Sequence, residues 1–108
     1  MSAELVFGLP ATAIAQLRAV FASWPAISRV LLYGSRAKGN YRPGSDIDLT
    51  IEADALPLAQ LLAIENQIDD LLLPWMVDLS VREQIENPSL LEHIARVGVP
   101  FYVRQEQS

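Results

Sequence analysis

The sequence predicts an α/β or α+β domain in which helices cover one side of a sheet. Three observations support this prediction. Apolar residues recur at steps of three and four in three segments, which is the period of a helix. Four other segments are short apolar runs or alternate between apolar and polar residues, as strands do. Proline, glycine and small polar residues separate these segments, which gives the order helix, strand, strand, helix, strand, helix, strand.

The first helix is predicted between Pro10 and Trp24. Ile14, Leu17 and Phe21 fall on one face of this segment, and Pro25 closes it. The next apolar run covers residues 30–33 and ends at a glycine, which predicts a short buried strand.

A turn-rich segment, residues 39–45, separates the first strand from the second. Residues 46–52 then alternate strictly between two faces. One face carries the apolar residues Ile47, Leu49 and Ile51, and the other carries Asp46, Asp48, Thr50 and Glu52. This alternation predicts a half-buried strand.

The second half of the chain repeats the helix–strand order. Pro57 opens a helix that ends before Pro74, with a predicted apolar stripe made of Leu58, Leu61, Leu62, Ile68 and Leu72. Residues 75–81 form the third predicted strand, in which Asp78 and Ser80 face away from the apolar side chains. A third helix follows around residues 90–97, and residues 99–103 complete the sheet.

Length and composition predict one domain, residues 1–108. The chain is 51% hydrophobic, which excludes a wholly disordered protein. It has no cysteine, which excludes disulfides, thiolate metal sites and thiol nucleophiles, and its single histidine, His93, is interpreted as an ordinary helix residue. We find no apolar stretch long enough for a membrane span and no pattern typical of a signal peptide. We therefore expect a cytoplasmic protein.

The net charge of −5 conceals an uneven distribution. Residues 5–45 carry five basic and no acidic residues, a sum of +5, whereas residues 46–108 carry twelve acidic and three basic residues, a sum of −9; Glu4 completes the total. The overall charge argues against direct nucleic-acid binding. The split suits a positive phosphate-binding segment beside a negative metal-binding one, although chance and solvated faces remain the alternative interpretation.

The Gly34–Ser35 pair directly follows a predicted strand. Glycine lets the backbone turn sharply and approach a ligand closely. If residues 35–38 begin a short helix, its free N–H groups suit a phosphate, and Arg36 and Lys38 add positive charge. An ordinary turn is the alternative interpretation of this pair.

Asp46 and Asp48 lie two positions apart on one face of the second strand, about 6.6 Å from each other. Their carboxylates can lean toward one Mg²⁺ or toward a pair of ions about 3.5–4 Å apart, and a bound cation removes the repulsion between them. A solvent-facing strand edge is the alternative. Asp78, in the apolar third strand, either lies near these two residues or is an ordinary exposed acid.

The segment GSRAKGNYRPGSDIDL, residues 34–49, places ten residues between Gly-Ser and Asp-Ile-Asp. This arrangement resembles the signature of the polymerase-β-like nucleotidyltransferases, and most closely that of their minimal, MNT-type members. The resemblance covers nearly the whole chain, with residues 77–80 as the third acidic strand. It implies a polymerase-β-like fold: a mixed sheet of about four strands with helices packed mainly on one face.

The resemblance also implies a role for each site residue. Gly34 and Ser35 hold the β- and γ-phosphates of a nucleoside triphosphate. Asp46 and Asp48 bind two Mg²⁺ ions, while Asp78 shares the ion nearer the acceptor and helps to remove the proton of the acceptor hydroxyl. Further candidate phosphate contacts, which the signature does not fix, are Arg36, Lys38 and Arg42. Arg42 is equally interpreted as a solvated turn residue.

The activity that the resemblance implies is transfer of AMP from ATP to a hydroxyl. MNT proteins are commonly paired with a small helical HEPN protein, a toxin that is typically an RNase. The implied acceptor is a tyrosine of this partner, and neutralisation by binding alone is the alternative. The short chain predicts an incomplete base pocket that a partner or a second subunit closes. Candidate residues for that surface are Trp24, Trp75, Phe101 and Tyr102.

Two other enzyme classes fit the sequence less well. Residues 46–50 match the DxDxT motif of haloacid-dehalogenase-type phosphatases, but that motif follows a strand, whereas Asp46 begins one. The lysine that such phosphatases need downstream is absent, because Lys38 is the only lysine. No GxxxxGK[ST] phosphate loop is present either. A transferase acting on a small-molecule hydroxyl, such as that of an aminoglycoside, remains an alternative.

Overall fold

The helices and strands follow the predicted order, with a short hairpin and a short helix added. A computed structural model describes residues 5–105, so residues 1–4 and 106–108 of the predicted domain lie outside the described residues. The strands are β1 (Leu5–Val6), β2 (Leu9–Pro10), β3 (Ile27–Tyr33), β4 (Ile47–Ala53), β5 (Val77–Val81) and β6 (Val99–Val103). The helices are α1 (Ala11–Ala22), α2 (Ser35–Lys38), α3 (Leu58–Asp69) and α4 (Pro88–Val97), and a 3-10 turn covers Arg82–Gln84.

The main sheet has four strands in the order β5-β4-β3-β6. Strand β3 pairs antiparallel with both β4 and β6, whereas β4 and β5 are parallel. A parallel pair needs a long crossover connection, and the segment that contains α3 provides it. The predicted mixed sheet of about four strands is therefore confirmed.

The helices divide unequally between the two faces of the sheet. Helices α1 and α3 pack on one face, where Leu17 and Phe21 of α1 and Ile64 of α3 meet the apolar side chains of β3 and β4 in one core. Helix α4 packs on the opposite face, where Ile94 contacts Leu31 and Tyr33 of β3. Helix α4 thus covers the part of this opposite face that β3 forms.

The hairpin of β1 and β2 was not predicted from the sequence. Its strands have two residues each, which is too short to show a period. Its two turn residues, Phe7 and Gly8, both have positive φ angles, 58° and 73°, as in the type I′ turns that suit the twist of a hairpin. The buried Leu9 anchors this hairpin to the core.

The predicted apolar stripe of α3 is only partly correct. Ile64 and Ile68 are buried, whereas the leucines Leu58, Leu62 and Leu72 are exposed. The helix ends at Asp69, so Leu72 lies beyond it, in the turn that precedes β5. Leu72 adopts a left-handed conformation with φ of 55°, and its side chain is 86% exposed.

Replacing Leu72 with glycine is expected to stabilise the protein by about 0.5 kcal/mol. Glycine removes the steric cost of the left-handed conformation, which exceeds the added entropy of the unfolded chain. Little packing is lost, because the leucine is exposed. Urea denaturation should therefore give a larger free energy of unfolding for Leu72→Gly than for wild type. Leu72→Ala is the matched control, since alanine keeps the strain; an alanine variant as stable as the glycine variant would contradict this explanation.

Candidate active site

Two neighbouring strands, β4 and β5, bring Asp48 and Asp78 together on the face opposite the main core. Ile47 and Leu49 of β4 are buried in that core, so Asp48 between them points to the other face. The register pairs Asp48 with Asp78 on one side and with Tyr33 on the other. Paired residues on adjacent strands are about 4.8 Å apart. The prediction that Asp78 lies beside Asp48 therefore agrees with the strand register.

The electrostatics of Asp48 reflect this crowding. Burial raises the pKa of its carboxyl group, and the negative charges of Asp78 and Asp46 raise it further, while His93 opposes these effects. Asp46 and Asp78 are themselves exposed at the surface. A half-buried carboxylate between two others is a site that favours a proton or a cation.

The turn after β3 passes directly against Asp48. Gly34 has φ of 75° and ψ of −155°, a combination that is essentially restricted to glycine. A Cβ atom at this position would overlap Oδ2 of Asp48. The predicted short helix then begins at Ser35, and the N–H groups of Lys38 and Gly39 bond back to the carbonyls of Gly34 and Ser35. Gly34 and Ser35 are thus held beside the acidic group.

Replacing Gly34 with alanine is expected to destabilise the protein by about 1–3 kcal/mol, because alanine is strained at this φ and ψ. The new methyl group also displaces the Asp48 carboxylate. Any activity that depends on Asp48 should therefore decrease as well as the stability. Chemical denaturation measures the first effect. Gly39→Ala is the matched control: Gly39 also has a positive φ, 87°, but no atom lies within 4 Å of its Cβ position. Equal losses of activity in both variants would contradict the proposed contact.

Arg36 is 2% exposed, and its guanidinium group faces the loop that leads to Asp46. Nε and Nη2 both donate to the carbonyl of Ser45, at 3.1 and 2.8 Å. Nη2 also donates to Pro43 O at 3.1 Å, and Nη1 donates to Phe7 O at 2.8 Å. The same group lies 5.2 Å from the centre of the Tyr41 ring. Burial lowers the pKa of Arg36.

These contacts join the hairpin, α2 and the loop 39–46. The Trp75 indole N–H also donates to Pro43 O, at 3.0 Å. Ser45 and Arg42 close a turn by two hydrogen bonds: the Ser45 N–H donates to Arg42 O, and the Arg42 N–H donates to the Ser45 hydroxyl. Arg36 was predicted as a phosphate contact. Its hydrogen bonds instead hold the loop that positions Asp46, and a phosphate role would require this buried network to open.

The other two predicted phosphate contacts are at the surface. Lys38 ends α2, and Arg42 lies in the following loop; both are exposed. Their positive charges flank the segment between the turn and Asp46. The structure therefore places Gly34 against Asp48, Ser35 next to it at the start of α2, Arg36 beneath the loop, and Lys38 and Arg42 on its outside.

His93 is a site residue that the sequence reasoning missed. The Gly34 N–H donates to His93 Nε2 at 3.1 Å, and the His93 ring meets the Tyr33 ring edge-on, with 6.2 Å between centres. The interpretation of His93 as an ordinary helix residue did not include this contact with the turn. No sequence motif marks it, because the contact depends on α4 packing on the same face as the acids.

The donor set fits magnesium better than softer metals. Carboxylate oxygens are the protein ligands that Mg²⁺ prefers, and it usually keeps several waters and substrate phosphate oxygens as further ligands. Among residues 5–105, no group of three or more histidine, cysteine or acidic side chains is arranged to hold a metal ion by itself.

A second charged cluster on this face is a structural ion network. Glu52 accepts from Arg29 and from Arg82, both at 2.6 Å. Hydrogen bonding by Arg29 is the main cause that lowers the pKa of Glu52. These charges are paired with each other across β3, β4 and the 3-10 turn.

The aromatic residues predicted to form a partner surface differ in availability. Phe101 is 1% exposed and belongs to the core, so its assignment to a surface is wrong. Trp24 and Trp75 are half-buried, and each donates its indole N–H, to Gln67 and to Pro43 respectively. Tyr102 is half-buried against the Phe21 ring, 6.1 Å away. A groove of about 920 Å³ lies between α1 and β6; Phe101 and Tyr102 line it, but none of the predicted phosphate-binding or metal-binding residues does.

Comparison with known families decides the classification of this fold and site. The sequence model of one family, described as polymerase beta, nucleotidyltransferase, matches residues 15–107. The chain belongs to this nucleotidyltransferase family. The match includes the Gly34–Ser35 turn and all three aspartates. No curated protein matches the nucleotidyltransferase chain in sequence.

Solved structures share the nucleotidyltransferase fold at low sequence identity. A toxin–antitoxin complex with AMP-PNP matches with a TM-score of 0.65 and 21% identity, covering 87% of this chain and 73% of the other. A mutant MntA–HpeT toxin–antitoxin has a TM-score of 0.65 and 21% identity, with coverages of 90% and 75%. A tri-AMPylated Shewanella oneidensis HEPN toxin in complex with MNT antitoxin matches with a TM-score of 0.64 and 16% identity, covering 86% of this chain and 71% of the other. At these identities the likeness establishes the fold.

The helices of the nucleotidyltransferase chain within residues 5–105 are short. None of the helices in this range is both long and apolar enough to cross a bilayer.

Proposed function

We propose that this nucleotidyltransferase transfers AMP from ATP, with Mg²⁺, to a tyrosine hydroxyl of a HEPN-family partner and thereby acts as an antitoxin. The observation that carries the proposal is the pairing of Asp48 with Asp78 on one sheet face, with Gly34 directly against Asp48 and Asp46 just before β4. The solved complexes of similar fold support the choice of nucleotide and partner, since one contains AMP-PNP and another a tri-AMPylated HEPN toxin.

The proposed reaction is a displacement at the α-phosphorus of ATP. The acceptor oxygen forms a bond to this phosphorus, the bond to the β-phosphate oxygen breaks, and pyrophosphate leaves. Bound Mg²⁺ supplies positive charge at the attacking and leaving oxygens. Asp46 and Asp48 hold the ions, and Asp78 takes part in removing the proton of the acceptor hydroxyl.

The remaining residues position the nucleotide. Gly34 and Ser35 hold the β- and γ-phosphates, and the exposed Lys38 and Arg42 add positive charge near the triphosphate. Arg36 acts through the loop, by fixing the backbone immediately before Asp46. This division of labour relies on positioning and electrostatics, which supply most of the acceleration in such reactions.

The acidic face is open, which suits a protein acceptor. Asp46 and Asp78 are exposed, and β5, which carries Asp78, is an edge strand of the sheet. A partner therefore reaches the carboxylates without passing through a cavity. We further propose that the partner, or a second subunit, completes the pocket for the base.

The test is a transfer assay with the protein encoded by the neighbouring gene, which the proposal expects to belong to the HEPN family. The purified pair is incubated with Mg²⁺ and either α-labelled or γ-labelled ATP. The proposal predicts that only α-label enters the partner, at tyrosine, and that EDTA or the double variant Asp46→Asn/Asp48→Asn abolishes labelling. Glu92→Gln is a surface control that should label the partner as wild type does, since it affects only the exposed Glu92–Arg96 pair.

Two outcomes favour the alternatives. If wild type and the double variant neutralise the partner equally and no label is transferred, the protein acts by binding alone. If label appears only on a small-molecule hydroxyl, such as that of an aminoglycoside, the acceptor assignment is wrong.

A further inference from the structure

We propose that His93 is a positioning residue for the nucleotide-binding turn: its imidazole accepts the Gly34 N–H and holds the turn against Asp48. This inference rests on the proposed function, because it concerns how ATP is bound at the same site. It assigns a functional contact to α4, which otherwise only covers the sheet.

The hydrogen bond fixes the chemical state of the imidazole. Gly34 N–H is the donor and His93 Nε2 the acceptor, at 3.1 Å. A ring nitrogen accepts only when it carries no proton, so the neutral ring carries its proton on Nδ1. The contact therefore requires one tautomer, which is directly measurable.

The ring is held in place by its neighbours. It meets the Tyr33 ring edge-on, with an interplanar angle of 80°, and the next residue of α4, Ile94, is 1% exposed against Leu31 and Tyr33. The helix begins at a capped end, since the Asn87 side chain accepts from the Ser89 N–H at 2.9 Å. His93 therefore contacts two consecutive residues, Tyr33 and Gly34, from a rigid element.

Gly34 lies between His93 and Asp48. Its N–H is bonded to the imidazole, and the space that a Cβ would fill is taken by Asp48 Oδ2. A shift of the turn therefore changes both contacts together. Because the Gly34 N–H is used by His93, the pair would bind the phosphates through the hydroxyl and N–H of Ser35, and Gly34 would contribute the close approach of its backbone.

A core histidine with no role in binding is the simpler interpretation, and two features argue against it. His93 is half-buried rather than enclosed, and its partner is the backbone of the turn rather than a core polar group.

The first experiment uses the wild-type protein and needs no activity. Nitrogen-15 NMR of the imidazole should show the Nδ1–H tautomer of His93, and the Gly34 amide proton should be protected from exchange. A ring in the Nε2–H tautomer, or an unprotected Gly34 amide, would overturn the proposal whether or not the protein transfers AMP.

The second experiment compares variants by calorimetric binding of ATP–Mg²⁺ and by transfer kinetics. His93→Leu should weaken ATP–Mg²⁺ binding by about tenfold, the ratio expected for losing one ordinary hydrogen bond. The KM for ATP should rise with little change in kcat. His93→Gln, which retains an acceptor near the Nε2 position, should restore binding, and the helix control Glu92→Gln should bind as wild type does.

The variants separate this proposal from the proposed function. Normal ATP–Mg²⁺ binding by His93→Leu, or equal losses in His93→Leu and His93→Gln, would show that His93 does not position the turn. Binding that follows the predicted pattern without any transfer to a partner would support the role of His93 and overturn the transfer activity alone.

Discussion

Replacing Asp48 with asparagine is expected to lower the rate of nucleotidyl transfer by about 10³-fold and to make the protein more stable. The loss follows because asparagine keeps the shape of the side chain but not the charge that binds Mg²⁺. The gain follows because burial of Asp48, together with the negative charges of Asp78 and Asp46, opposes its ionisation. Activity and stability therefore change in opposite directions at this residue.

The sign of the stability change depends on pH. The pKa of Asp48 is raised in the folded protein above its ordinary value of 3.8, so the folded state binds the proton more tightly than the unfolded state does. Its contribution to stability is full below that ordinary value and is lost as pH rises through the raised pKa. Asparagine cannot ionise. The variant should therefore have a larger free energy of unfolding than wild type once the pH rises above 3.8, and this difference should persist at neutral pH.

Thermal unfolding in EDTA measures this effect. We expect the Tm of Asp48→Asn at neutral pH to exceed that of wild type by about 2–4 °C, or about 0.5 kcal/mol for a domain of this size. Added Mg²⁺ with ATP should raise the Tm of wild type but not that of the variant. Asp54→Asn, an exposed acid just beyond the end of β4, is the control and should change neither property. Equal stabilisation of Asp48→Asn and wild type by Mg²⁺–ATP would contradict the metal assignment.

Replacing Arg36 with methionine is expected to destabilise the protein by about 3–5 kcal/mol. The variant leaves the carbonyls of Phe7, Pro43 and Ser45 without their shared donor, in a position that is almost completely buried. Most small domains have a total stability of about 5–15 kcal/mol, so this loss is a large part of it. Urea denaturation at neutral pH measures it.

Two controls identify the cause. Arg36→Lys keeps the charge but not the planar fork, so it should still lose a large part of the stability. Arg42→Met removes an exposed arginine from the same loop and should change stability by less than about 0.5 kcal/mol. If Arg36→Met folds as stably as wild type but binds ATP poorly, the buried network is not what holds this loop, and the phosphate role predicted from the sequence is supported.

The parts of the fold that were predictable are those with a clear period. Strict alternation in residues 46–52 assigned Ile47 and Asp48 to opposite faces, and the core confirms it. Residues 77–81 alternate in the same way. The sequence therefore also assigned Asp78 correctly to the face opposite the side chains of β5 that pack on the core. Period alone did not reveal the parallel pairing that aligns Asp78 with Asp48, because register depends on contacts distant in sequence.

The errors arise where tertiary packing decides. Three leucines match a helical period but are exposed: Leu58, Leu62 and Leu72. Helix α3 packs through Ile64 and Ile68 instead, and it ends before Leu72. A basic residue near a phosphate loop suggested a phosphate contact for Arg36, yet burial directs its guanidinium to backbone carbonyls. The contact of His93 with Gly34 joins residues 59 positions apart, and no local pattern encodes it.

The central claim is that Asp46, Asp48 and Asp78 bind divalent ions beside a nucleotide held at the Gly34–Ser35 turn. The most direct measurement is a crystal structure of the protein with Mn²⁺ and a non-hydrolysable ATP analogue. We predict an anomalous peak between the carboxylates of Asp46 and Asp48, with the triphosphate at Ser35, and no such peak in the Asp46→Asn/Asp48→Asn variant. Mn²⁺ and nucleotide bound elsewhere on the protein, or a peak that persists in the double variant, would contradict the claim.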